Sequence, residues 1–97
     1  MSFLMNKKVH DLKTRIDCFQ AIVDGYKTAE YRKDDRNFKV GDWLNLMEWN
    51  SETESYTGAT VLFLTTHIVR DAPEFGIPDG YCMLSFKQIS PSRMVTE

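Results

Sequence analysis

At 97 residues, 42% of them hydrophobic and 27% charged, the chain can close one small core and is too short for two domains. Twelve aromatic side chains (six Phe, four Tyr and two Trp) supply the large apolar area that so short a domain needs, so disorder is not expected for most of the chain. The 12 basic and 14 acidic side chains leave a formal charge of −2. That balance excludes the broad basic surface behind indiscriminate phosphate binding, and any nucleic-acid contact has to be local.

In chain order, Val9 to Lys13 reads as a short strand. Phe19, Ile22 and Val23 then repeat at helical spacing and predict a helix over about Ile16 to Asp24. Thr14, three residues before Asp17, resembles a helix-start cap, and Gly25 suits the left-handed position that ends a helix. Lys27 to Arg32 alternates as a strand does. Its pattern predicts Ala29 and Tyr31 buried on one face, with Thr28, Glu30 and Arg32 displayed on the other.

Asp34 to Asn37 and Gly41-Asp42 are turn signals on either side of Phe38-Lys39-Val40. Trp43 to Trp49 carries large apolar groups on both faces and reads as a central strand. A polar hairpin loop, Asn50 to Gly58, leads into a long β-branched strand from Ala59 to Arg70. Asp71 to Gly80 holds two prolines and two glycines and reads as a structured loop. Tyr81 to Ile89 is the last strand. The expected division is an N-terminal extension at 1–8, one domain at 9–89 and a tail at 90–97.

One helix followed by strands without intervening helices predicts an α+β domain built on a mostly antiparallel sheet. Closure of that sheet into a small β-barrel would remove its edges. Within it, Trp43 and Tyr31 are expected to fill the core, and Phe75 and Tyr81 to pin the proline-containing loop.

Charge is unevenly spread along the chain. Residues 7–39 hold nine Lys/Arg against six Asp/Glu, a balance of +3, whereas residues 40–97 hold three against eight, a balance of −5. One end of the domain is therefore suited to attract an anion. Cys18 and Cys82 are too few for a disulfide scaffold and read as small hydrophobes. His10 and His67 without a third ligand make a poor metal site, so no metal and no cofactor are expected. The first residues do not have the order of a secretory signal and no run approaches a membrane span, so a cytoplasmic monomer without membrane contact is expected.

The densest polar constellation is Lys27, Thr28, Glu30, Arg32, Asp35 and Arg36. A lysine and an arginine beside a carboxylate can clamp a phosphate while the acid accepts from a base or ribose hydroxyl, although the same composition also describes a solvated ladder of ion pairs.

Gly25-Tyr26-Lys27-Thr28-Ala29-Glu30-Tyr31-Arg32 resembles the Gly-x-Lys-Thr-x-Glu-x-Arg signature of ASCH domains, members of the PUA-like superfamily of small β-barrels. His10-Asp11-Leu12-Lys13, Arg32-Lys33-Asp34-Asp35-Arg36, Phe38-x-Val40-Gly41-Asp42, Tyr56-Thr57-Gly58 and Phe75-Gly76-Ile77-x-x-Gly80-Tyr81 resemble successive blocks of a short phage and bacterial ASCH-like subfamily of unknown function. The resemblance implies a PUA-like (ASCH) barrel that binds RNA, a nucleotide or a modified base in a cleft between helix and barrel. The implied binding residues are Lys27, Glu30, Arg32 and Arg36, with His10 and Lys13 from the first strand.

Some ASCH proteins are amidohydrolases of N4-acylated cytidine that use the signature lysine, a threonine three positions later and a distant glutamate. Here Lys27 matches the lysine, but Glu30 stands at the threonine position. A nucleoside amidohydrolase with Lys27 and Glu30 as its catalytic pair is therefore the alternative to a non-catalytic binding module, and enzymatic activity stays open. A third reading is an adaptor that binds a host protein.

Overall fold

The structure is a computed structural model and describes residues 7–88. The elements are β1 (Val9–Arg15), α1 (Ile16–Val23), β2 (Ala29–Lys33), β3 (Trp43–Asn50), β4 (Ser55–Ala72), a 3₁₀ turn (Pro73–Phe75) and β5 (Ile77–Lys87). They form one five-stranded sheet in the order β1-β3-β4-β5-β2. The β1–β3 pair is parallel and the other three pairs are antiparallel.

Alternation decides which side each strand buries. His10, Leu12 and Thr14 of β1, and Leu44, Leu46 and Glu48 of β3, point to the buried face, where α1 brings Phe19 and Ile22. Phe38, Phe63, Cys82, Leu84 and Phe86 complete the core. Phe63 and Phe86 meet edge to face, with ring centroids 5.3 Å apart.

The helix ends in a Schellman arrangement. Gly25 adopts φ +84°, its N–H donates to Ile22 O and the N–H of Tyr26 donates to Ala21 O. At the other end Arg15 stands at the N-cap without a side-chain bond to a helix backbone N–H, and the Thr14 hydroxyl donates to Leu12 O, so the expected Thr14 cap does not form.

The barrel expected from the sequence is corrected: the mixed α+β fold and the mostly antiparallel sheet are present, but the sheet is open. β1 and β2 are its two ends, and they do not pair. Long side chains cross between them instead. Arg32 Nη1 lies 3.4 Å from Lys13 O, and Arg36 Nη1 donates to Asp11 O at 2.5 Å. A strand ladder needs backbones ≈ 4.8 Å apart, and guanidiniums now take up the carbonyls that a ladder would use.

Other departures have local causes. β4 starts at Ser55, inside the expected loop, because Asn50 Oδ1 accepts from the N–H groups of Glu52 and Thr53 and tightens the turn. The proline-containing stretch is mostly strand, since β5 begins at Ile77, opposite Ala72, just after the left-handed Gly76. Phe75 is exposed rather than pinned, and Trp43 is only half-buried, on the side opposite Leu44. Residues 90–97, read as a tail, lie outside the described residues, as do residues 1–6 of the expected extension.

Candidate functional site

The register of β2 decides where the polar constellation goes. Glu30 is opposite Leu84 and Arg32 opposite Cys82, both fully buried core residues, and directly paired residues share a face. Glu30 and Arg32 are thus the inward pair, while Tyr31 turns outward and is exposed, the reverse of the alternation expected from the sequence. Glu30 holds two cations at once: Arg32 Nη1 is 3.0 Å from its Oε2, and Lys27 Nζ is 3.5 Å from its Oε1. Lys27 also donates to Ala29 O at 2.6 Å.

Between the unpaired edges of β1 and β2 lies a shallow hollow of about 310 Å³, lined by Lys13, Arg15, Cys18, Glu30, Tyr31, Arg32 and Lys33. Four cations therefore face one carboxylate. Lys13 Nζ sits 4.0 Å from the centre of the Trp49 ring, a cation–π contact that leaves its hydrogens for another acceptor. Arg15 is tied to Asp17 at 2.7 Å, and Lys33 makes no ion pair among the described residues. Tyr31 stacks flat on Tyr81, with centroids 5.4 Å apart and planes 6° from parallel, extending the rim of the hollow with exposed aromatic surface.

Of the residues expected at the site, the structure brings together Lys13, Glu30 and Arg32. Lys27 approaches only from behind Glu30, and Arg36 bridges the seam at Asp11 without lining the hollow. His10 faces the core. Its Nε2 is 2.8 Å from Asp42 Oδ2 and its ring packs on Phe38. Burial pushes the Asp42 carboxyl up, but bonds from His10 and from the N–H groups of Lys39 and Lys8 outweigh it, and the net shift is downward. That pair is a clasp between β1 and the turn before β3.

Arg15, Lys33 and the Tyr31–Tyr81 stack were not among the expected site residues. Extending the alternation of β1 by two residues places Arg15 on the same outward face as Lys13, a signal already present in the sequence.

A second depression, of about 490 Å³, lies at the start of α1 against the β3–β4 turn and is lined by Arg15, Ile16, Asp17, Asn50, Ser51 and Glu52. Its two carboxylates and one already paired arginine give it no net attraction for an anion. On the core side, Glu48 sits at a break in the β3–β4 register and accepts from Thr57 Oγ1 at 2.7 Å and from Gln20 Nε2 at 2.9 Å. Those two bonds, the threonine's first, hold its carboxyl below the usual range against the opposing effect of burial. Among the described residues no group of three or more His, Cys, Asp or Glu could hold a metal ion, and no helix is long and apolar enough to cross a membrane.

The family described as a domain of unknown function, DUF3850, has a model that matches residues 9–86. The chain belongs to the DUF3850 family. An uncharacterized 12.9 kDa protein in the GpA 3′ region of Escherichia phage P2 is 44% identical over 45 residues, which are 46% of this chain and 41% of that relative. This DUF3850 chain thus matches less than half the length of that phage protein.

The ASCH resemblance is corrected by the same findings, because the blocks that carried it fall within the DUF3850 match and the sheet is not a PUA-like barrel. The RNA- or nucleotide-binding cleft beside a barrel falls with it. So does the N4-acylcytidine amidohydrolase that would have used that cleft, since Lys27 is folded back onto Ala29 and Glu30 and does not line the hollow.

Proposed function

We propose that this DUF3850 chain is a protein-binding module that takes an acidic partner at the seam between β1 and β2. The observation that carries the reading is the lining of the seam hollow, where Lys13, Arg15, Arg32 and Lys33 face the single carboxylate of Glu30. The hollow is open and shallow, a shape that meets another protein's side chains more readily than it encloses a small molecule. Exposed Tyr31 and Tyr81 beside arginines give the composition in which interface hot spots are enriched.

Asp17 and Glu30 hold Arg15 and Arg32 at one side, so the cations are spaced singly rather than joined in the continuous track a nucleic-acid backbone follows. Separate carboxylates fit separate cations. Outside the seam the acidic excess of residues 40–97 repels an acidic partner and favours this one face.

Fluorescence anisotropy with labelled decaglutamate tests the reading. Saturable binding is expected at low salt, with at least about tenfold loss in a Lys13→Glu/Lys33→Glu double variant that keeps its circular dichroism. Equal binding by the double variant, or preference for single-stranded nucleic acid over decaglutamate, would overturn it.

A further inference from the structure

We infer that the seam is a slot for an extended segment of the acidic partner, which pairs as a strand with the outer edge of β1. This rests on the reading of the seam as the acidic partner's site and specifies how the partner is held. β1 and β2 are the ends of the strand order, so each presents an outer edge with no strand beside it among the described residues. The hollow is lined from both edges, by Lys13 and Arg15 on one side and by the 30–33 stretch of β2 on the other. It occupies the place where one more strand would stand.

The contacts across the seam mark the groups such a strand would use. Asp11 and Lys13 are two residues apart, so their carbonyls point to the same edge, and their acceptors are the guanidiniums of Arg36 and Arg32. These arginines block the edge as charged side chains block exposed edges elsewhere. An incoming strand replaces them with backbone N–H donors, leaving Arg32 on Glu30 and turning the Arg36 guanidinium out to solvent.

Alternation sets the occupant's pattern. Side chains of the added strand that face outward neighbour Lys13 and Arg15 on β1 and Tyr31 and Lys33 on β2, whereas those that face inward neighbour Leu12 and Thr14 on β1 and the Glu30–Arg32 pair on β2. The segment that fits carries acidic residues at every second position, with small or β-branched residues between them. Main-chain pairing of this kind supplies affinity while alternate side chains supply selectivity.

The probe is an octapeptide of alternating Glu and Val, compared with the same peptide N-methylated at alternate backbone nitrogens, and read by amide hydrogen exchange and affinity on the full chain. Expected are about tenfold slower exchange at the Asp11 and Lys13 amides on binding, and at least about tenfold weaker binding of the methylated peptide. Arg36→Ala, which uncovers Asp11 O, is expected to strengthen binding about threefold without changing the circular dichroism. Equal affinity of both peptides, or binding without protection of β1, would overturn strand pairing while leaving the acidic-partner reading intact. Failure of both peptides and of decaglutamate would overturn the two together. Protection of the same amides in peptide-free protein, together with a dimer in sedimentation, would make the occupant a second copy and overturn the proposal.

Discussion

Arg32 and Glu30 stand 3.0 Å apart on the inward side of β2, with the tyrosine between them turned out to solvent. The carboxylate neutralises part of the field that Lys13, Arg15 and Lys33 create in the seam. Glu30→Gln removes that charge while keeping the shape, and the expected result is an affinity for decaglutamate raised on the order of threefold to tenfold at low salt. The gain should shrink in high salt, where exposed charges are screened. A salt series by anisotropy on the two proteins checks both the size and the trend.

Asp42 is expected to matter for stability rather than for binding. Its carboxylate accepts from buried His10 and from the N–H groups of Lys8 and Lys39, so Asp42→Ala leaves three donors without their acceptor. The expected loss is about 3 kcal/mol in urea unfolding, with decaglutamate affinity measured on the folded fraction unchanged.

Glu48 supplies a pH signature. Its carboxyl is held below the ordinary glutamate range by Thr57 and Gln20, so the stabilisation it gives is complete above the unfolded value and is lost as pH falls through the lower folded one. The stability gap between the native chain and Glu48→Gln is therefore expected to be full at neutral pH and to narrow below about pH 4.3, the ordinary glutamate value. Thermal melts of both proteins across the acid range measure it. A gap that stays constant to pH 2 would contradict the assignment.

The two thiols should differ in reactivity. Burial pushes the Cys82 thiol up and keeps it protonated, whereas half-buried Cys18 lines the hollow. A disulfide reagent is expected to label Cys18 first and Cys82 only on unfolding. Saturating decaglutamate should slow labelling of Cys18.

Much of the local structure is legible in the sequence, because it is written in short periods. The spacing of Phe19 and Ile22 marks the helix, Gly25 its end, and the alternation around Leu44 and Leu46 the third strand. What depends on distant pairing is not. The inward turn of Glu30 follows from its partner Leu84, 54 positions on, and nothing within residues 27–32 indicates it. The open seam escapes for a related reason. Consecutive strands suggest closure, yet the parallel placement of β1 on β3 and the two arginines crossing to Asp11 and Lys13 keep the last edge unpaired. Of the site, Lys13, Glu30 and Arg32 are visible as charged residues near one another in the first third of the chain. Arg15 follows from carrying the alternation of β1 two residues further, and Lys33 joins them through the geometry of two strands that never pair.

Mapping amide and side-chain chemical-shift changes during a decaglutamate titration of the full chain tests the central claim most directly. The account predicts changes that cluster at Lys13, Arg15, Cys18 and Tyr31 to Lys33 and saturate together, with Ile77 to Gly80 unmoved. Shifts centred on Ile77 to Gly80, or spread evenly over every lysine and arginine, would contradict it.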